Sequence, residues 1–474
     1  MDMTANLTRR GFIKGTTQTA VGAVVAAKAA AVGTTILGAN DRVNIAVVGI
    51  RGRGGAHISN FAPLPNVRIA TLCDIDENVF PQRVKSIQDK YGYAPATVWD
   101  LRRVFDDKEI DAVSFATPNH WHALGTIWAC LAGKHVYVEK PATWGIWEGR
   151  QMVNAARAAN VLVEVGFQSR SRPSTIAAMQ FLHSGKLGKI YMARGLCFKP
   201  RADIGRYPDG PMAEGEQFTL TKEGGRMPAY TAAYLANVHY DEWIGPARKR
   251  PFNRNRFHYN WHWQWEYGNG DTGNQGPHQF DIARWGLNKN EHPVKIRSFG
   301  GCFTYDSAQN TPNTQTSIYE YSDGTILEFA TRGLFTNAEG APRIGNLFYG
   351  SEGWMEIDGG NWKTFFGRKG EPGPDSKNFK ENVPDALDTV GEGEPGHFGN
   401  FINAIRSGKQ ADLTCDIEVG FRSSVLPILG NISYRLGREV IFDGHREIFP
   451  GDQEANRFLK REEERDPYVI PDLT

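Results

Sequence analysis

Val43-Asn44-Ile45-Ala46-Val47-Val48-Gly49-Ile50-Arg51-Gly52-Arg53-Gly54-Gly55 passes from an apolar run into a glycine-rich turn, and a helical pattern follows from Ala56 to Phe61. A strand, a glycine turn and a helix in that order make a nucleotide-binding unit. The glycines let the backbone approach a pyrophosphate, and the helix N-terminus points amide groups at it. The spacing departs from G-x-G-x-x-G, because Arg51 stands where the second glycine is expected and Gly52 follows it.

Outward from this stretch the alternation continues. Apolar runs at Val67 to Cys73, Ala112 to Thr117, His135 to Val138 and Leu162 to Gly166 are separated by helical candidates at Pro81 to Lys90, His122 to Ala132 and Trp147 to Ala159. Five strands with crossover helices predict a doubly wound parallel sheet over residues 42–167. Asp74 ends the second run, where a carboxylate can accept hydrogen bonds from an adenosine ribose and repel a 2′-phosphate, which favours NAD over NADP. Arg51 and Arg53 keep NADP open as the lesser alternative.

Beyond residue 168 the runs lengthen and become β-branched and aromatic, at Lys189 to Phe198, Val294 to Tyr305, Thr316 to Tyr321, Thr325 to Thr331 and Asn346 to Ile357. They predict a C-terminal α/β domain over 168–443 with a large, mostly antiparallel sheet covered by helices on one face. Residues 201–251 and 363–395 read as long Gly-, Pro- and charge-rich excursions, and 444–474 as a C-terminal extension. The fold class is therefore α/β, a Rossmann domain followed by a second α/β domain.

The first 37 residues read as an address. Arg9-Arg10 precedes a weakly apolar Ala/Gly/Val/Thr stretch interrupted by Lys28, which resembles a twin-arginine signal and predicts export to the periplasm, with membrane association if the segment is not cleaved. The 474 residues carry a formal net charge of +1, which gives no electrostatic footprint for a nucleic-acid partner. Five cysteines stand singly, with no metal-ligand spacing, and read as small buried hydrophobes rather than a disulfide framework.

Two motifs carry the chemistry. Thr117-Pro118-Asn119-His120-Trp121-His122 and Val138-Glu139-Lys140-Pro141 resemble the Gfo/Idh/MocA family of glucose-fructose oxidoreductase and inositol dehydrogenase-like proteins, over roughly Arg42 to Asp443. The resemblance implies a sugar or polyol oxidoreductase, with Thr117, Pro118, Asn119, His122 and Glu139 at the cofactor and Lys140 beside the nicotinamide and the substrate hydroxyl. In Gly270-Asp271-Thr272-Gly273-Asn274-Gln275-Gly276-Pro277-His278-Gln279-Phe280-Asp281, His278 matches the family's histidine, whereas Asn274 occupies the position of its aspartate. Asparagine takes up no proton, so His278 is expected to be the base or to share that task with Lys140, which polarises the oxygen.

The intervening His258-Tyr259-Asn260-Trp261-His262-Trp263-Gln264-Trp265 is unusually aromatic and reads equally as a buried strand face or as a platform for a sugar ring. Trp263, Trp265 and Asp281 are the candidate substrate contacts. An exported enzyme would have to hold its NAD, which leaves two outcomes open: coupled redox of two sugars, or a glycosidase that oxidises transiently and eliminates. A sugar-binding protein without catalysis is the third reading, and a homo-oligomer formed through the C-terminal sheet is expected.

Overall fold

The computed structural model describes residues 42–218, 221–222, 225–226, 230–337, 339–379 and 396–474. The export segment, with Arg9 and Arg10, lies outside the described residues.

The N-terminal sheet is built from β1 (Val43–Val48), β2 (Val67–Cys73), β3 (Ala96–Val98), β4 (Ala112–Phe115), β5 (His135–Val138) and β6 (Val163–Val165), all parallel, in the order β3-β2-β1-β4-β5-β6. The crossovers are α1 (Gly52–Phe61), α2 (Phe80–Tyr91), α3 (Arg102–Asp106), α4 (Asn119–Leu131) and α5 (Ile146–Ala159). Central strands buried on both faces must be apolar almost throughout, which is why VNIAVV and AVSF stand out in the sequence. There are six strands and not five: β3 is three residues long and mostly exposed, so it leaves no apolar run.

The turn after β1 requires its glycines. Gly49 has φ +79°, and a Cβ on Gly54 would lie 1.7 Å from the Gly49 carbonyl oxygen, so only glycine lets α1 start this close to the strand.

After α6 (Pro173–His183), β7 (Ile190–Cys197), α7 (Gly270–Asn274) and α8 (Gly276–Gly286), the strands β8 (Lys295–Gly301), β9 (Thr314–Glu320), β10 (Ile326–Arg332), β11 (Ile344–Gly350), β12 (Gly353–Asp358), β13 (Asn361–Phe366) and β14 (Glu371–Asp375) follow. With β15 (Val440–Ile441) they form a nine-stranded sheet ordered β14-β13-β12-β11-β7-β10-β9-β8-β15, antiparallel except for the β7–β10 pair. The run at 346–357 is a hairpin rather than one strand, broken by Gly350-Ser351-Glu352-Gly353. Part of the expected excursion at 363–395 is strand: β13 and β14 extend the sheet edge.

Helices α9 (Gly396–Ser407) and α10 (Ile417–Leu436) complete the core. Phe398, Phe401 and Ile402 of α9 pack with Val43, Ile45 and Phe61, so a late helix is part of the N-terminal core. The C-terminal residues also pack inward: Phe449, Ala455, Tyr468 and Ile470 join the main core. Cys73, Cys130, Cys197 and Cys415 are buried, while Cys302 is exposed. Among the described residues no helix is long and apolar enough to cross a membrane.

Candidate active site

A cleft of about 470 Å³ opens at the C-terminal ends of the parallel strands, where the strand order reverses between β1 and β4. It gathers the residues the sequence assigned to cofactor and catalysis: Gly49, Arg51, Gly52, Arg53, Gly54, Asp74, Thr117, Pro118, Asn119, His122, Glu139, Lys140, Asn274 and His278 all line it. Helix α1 begins there with no side-chain cap and no acidic residue in its first turn, which leaves its N-terminal amides for an anion. The hydroxyl of Thr117, buried at the start of α4, has no protein partner. A pyrophosphate suits that donor set.

Asp74 holds the turn as well as facing the cleft. One carboxylate oxygen accepts from Ile50 N at 2.8 Å and the other from Asp76 N at 3.0 Å. Burial raises its pKa to about 6 against these two bonds. The two arginines are already paired with carboxylates. Arg51 is bonded to the buried Asp76 carboxylate and to the Tyr234 hydroxyl, and Arg53 Nε donates to Glu139 Oε1 at 2.6 Å. His122 is placed by backbone: its ring nitrogens lie 2.7 Å from Pro141 O and 2.9 Å from Thr117 O, and a neutral ring donates to only one of them.

Glu139 anchors the opposite end. Its Oε1 accepts from Arg53, from His57 Nε2 at 3.1 Å and from Gln168 Nε2 at 3.1 Å. Burial opposes ionisation, but Arg53 and His57 hold the carboxyl well below the usual range. Lys140 follows, and its Nζ donates to the Asn274 carbonyl at 2.5 Å. Burial lowers its pKa to about 8, with Glu139 opposing. His278 faces Phe167 edge-on at 6.2 Å, and burial together with the Lys140 charge lowers its pKa to about 3. The expectation that His278 is the base rested on an ordinary imidazole pKa. Beside a buried lysine that value is lost, and Lys140 is the group poised near neutrality.

The expected substrate residues do not line the cleft, and their neighbours do. Residues 258–263 form a 3-10 turn rather than a strand, so the side chains reaching the cleft are Tyr259, Asn260, Trp261 and His262. Trp263 is instead 4% exposed beneath Arg201, and Trp265 sits between Tyr434 and Arg435 away from the cleft. Asp281 does not line the cleft either: it is buried in a bidentate pair with Arg170 at 2.8 to 3.0 Å and accepts from Ser423 Oγ at 2.6 Å. Asp76 escaped the sequence reading, although its place two residues after Asp74 in Cys73-Asp74-Ile75-Asp76 was a usable signal. Among the described residues no cluster of His, Cys, Asp and Glu could hold a metal ion.

Residues 43–167 match an oxidoreductase family with an NAD-binding Rossmann fold, Gfo/Idh/MocA, and residues 223–338 and 357–470 match the C-terminal α/β domain of the same family. A levoglucosan dehydrogenase of Pseudarthrobacter phenanthrenivorans is 27% identical over 188 residues, 39% of this chain and 47% of that protein. The chain thus aligns with less than half the length of that relative. A glycosyl hydrolase family 109 protein of Parabacteroides distasonis is 24% identical over 449 residues, 86% of this chain and 90% of that protein. A solved levoglucosan dehydrogenase in complex with NADH and levoglucosan superposes with a TM-score of 0.59 at 18% identity, covering 85% of this chain and 99% of that one, which shows a shared fold.

Proposed function

Because the chain belongs to the Gfo/Idh/MocA oxidoreductase family and carries its NAD-binding Rossmann domain, we propose that it oxidises or reduces a hydroxyl carbon of a sugar or polyol with tightly held NAD. The observation that carries this reading is Lys140, a lysine of lowered pKa fixed at the end of β5 in the cleft that the glycine turn opens into. The turn amides and the α1 N-terminus would hold the pyrophosphate, and Asp74 would hold the ribose. NAD, when bound, supplies the hydride chemistry.

Lys140 takes the hydroxyl proton in the oxidation direction and returns it in reduction, and in its charged form it stabilises a developing alkoxide. The Asn274 carbonyl aims its Nζ, and the Glu139 carboxylate keeps its pKa from falling further. His278 stays neutral and orients the hydroxyl by a hydrogen bond. Tyr259, Asn260, Trp261 and His262 form the wall against which a sugar ring lies.

Mass spectrometry of denatured protein for released dinucleotide, followed by a sugar panel read by reduced-nicotinamide absorbance, tests the reading. Protein that neither carries nor binds NAD overturns it. The family 109 relative, aligned over 86% of the chain, favours a second reading in which oxidation is transient and a glycoside is eliminated. Glycoside cleavage without net NADH would select that outcome. Export remains part of the proposal, and a reporter fused to residues 1–40 should lose export when Arg9 and Arg10 are both changed to lysine. Tyr191, Phe299, Ile318 and Ile441, exposed on the nine-stranded sheet, support self-association, which sedimentation of the purified protein measures.

A further inference from the structure

The strand order divides the cleft in two. Lys140 and His278 lie on the β5 side of the β1–β4 switch point, and Asp74 and the residues after β3 on the other, so the latter half belongs to the adenosine. Four tryptophans line the cleft: Trp99 directly after β3, Trp128, edge-on to Phe105 of α3 at 6.3 Å, Trp121 beside Trp128 at 6.0 Å, and Trp243; the fifth ring comes from the far end of the chain, Tyr468. Tyr468 lies edge-on to Trp121 at 5.6 Å and tilted to Trp128 at 6.2 Å, and it is 5% exposed.

The segment that delivers Tyr468 is anchored on both sides of it. Arg461 lies 3.8 Å over the Trp144 ring and donates to the Glu266 carbonyl at 3.2 Å. Arg465 lies 4.8 Å over Tyr468 itself, donates to the Gly245 carbonyl at 2.9 Å and pairs with Asp241. Leu473 N donates to Gln151 Oε1 at 2.7 Å. Two late pieces of chain therefore meet over this end of the cleft. Around Gly245, Trp121 Nε1 donates to the Glu242 and Trp243 carbonyls at 3.0 and 3.1 Å, while the tail supplies the opposing ring.

Resting on the cofactor reading above, we propose that the C-terminal segment completes the adenine compartment, with Tyr468 as a positioning residue that retains the dinucleotide by its base. A planar base is the ligand chemistry that a box of indole and phenol rings accepts, and the Arg102 and Glu242 side chains at the same end offer it polar partners. The tail then has a binding role as well as a packing one. Losing it would free the adenosine half and leave the nicotinamide half as built.

Equilibrium binding of NAD, ADP-ribose and nicotinamide mononucleotide to the full-length protein and to Tyr468→Ala, Tyr468→Leu and Tyr468→Phe tests this, with melting curves as the check on folding. The Ala and Leu variants should weaken NAD and ADP-ribose at least tenfold and leave the mononucleotide unchanged, while Phe stays near wild type. Unchanged ADP-ribose affinity in a folded Ala or Leu variant overturns the proposal, and so does an equal loss of ADP-ribose and mononucleotide, which would mean that the tail only holds the fold. If wild-type protein binds neither NAD nor ADP-ribose, the cofactor reading itself has failed. Leu preserves bulk in the core, so folding loss in Ala alone still leaves a decisive measurement.

Discussion

Lys140 Nζ is held at 2.5 Å by the main-chain carbonyl of Asn274, not by its side chain. Its position is therefore insensitive to the side chain that residue 274 carries. Asn274→Ala should cost much less than Lys140→Ala, for which loss of the acid-base group predicts roughly 10²- to 10⁴-fold in kcat. Asn274→Asp adds a negative charge near the ammonium, so the pKa seen in the pH-rate profile should rise. Steady-state kinetics of the three variants check this, and equal losses in Asn274→Ala and Lys140→Ala contradict it.

The sign of the pH dependence follows from Lys140. With a pKa of about 8 it is largely charged at pH 7, so oxidation should accelerate as pH rises through about 8 and the reverse reduction should slow over the same interval. Glu139 raises that pKa, and Glu139→Gln should move both profiles to lower pH. The same substitution removes the charge facing Arg53 and His57. An unmoved profile in a folded Glu139→Gln protein would separate the two groups.

Asp281 should matter for stability and not for recognition. Its pair with Arg170 is buried, and removing one partner of such a pair costs about 3 to 5 kcal/mol because the other charge is left stranded. Denaturant unfolding of Asp281→Ala should show that loss. Where the variant is folded, KM for the sugar should be unchanged.

The glycine turn, Asp74 and the Glu139-Lys140 pair were legible because buried parallel strands are nearly all apolar and their C-terminal ends fix the ligand face. Strand β3 was not, since a short exposed edge leaves no pattern. Which of His278 and Lys140 takes the proton was not legible for a different reason: a pKa is set by burial and by neighbours distant in sequence, and Lys140 and His278 are 138 positions apart. Tyr468 at the cleft was equally invisible, because contact between residues this far apart in sequence has no local periodicity.

The aromatic stretch shows how a wrong period moves a site. Strand alternation would put Trp261, Trp263 and Trp265 on one face, whereas a 3-10 turn over 258–263 brings Tyr259, Trp261 and His262 to the cleft and leaves Trp263 in the interior. Trp261→Ala should therefore raise KM for the sugar about tenfold, the equivalent of one aromatic contact worth about 1.4 kcal/mol. Trp265→Ala should leave KM alone: its ring lies 5.2 Å from the Arg435 guanidinium outside the cleft, and the carbonyl that receives Trp144 Nε1 at 2.8 Å survives the change. Trp263→Ala should lower the melting temperature without a selective effect on KM, since a ring 4% exposed is removed from the interior. The three side chains lie two positions apart and would act alike on one strand face, so one set of kinetic and melting measurements distinguishes turn from strand. A raised KM in Trp265→Ala, with Trp261→Ala unaffected, would overturn the place of Trp261 in the sugar wall.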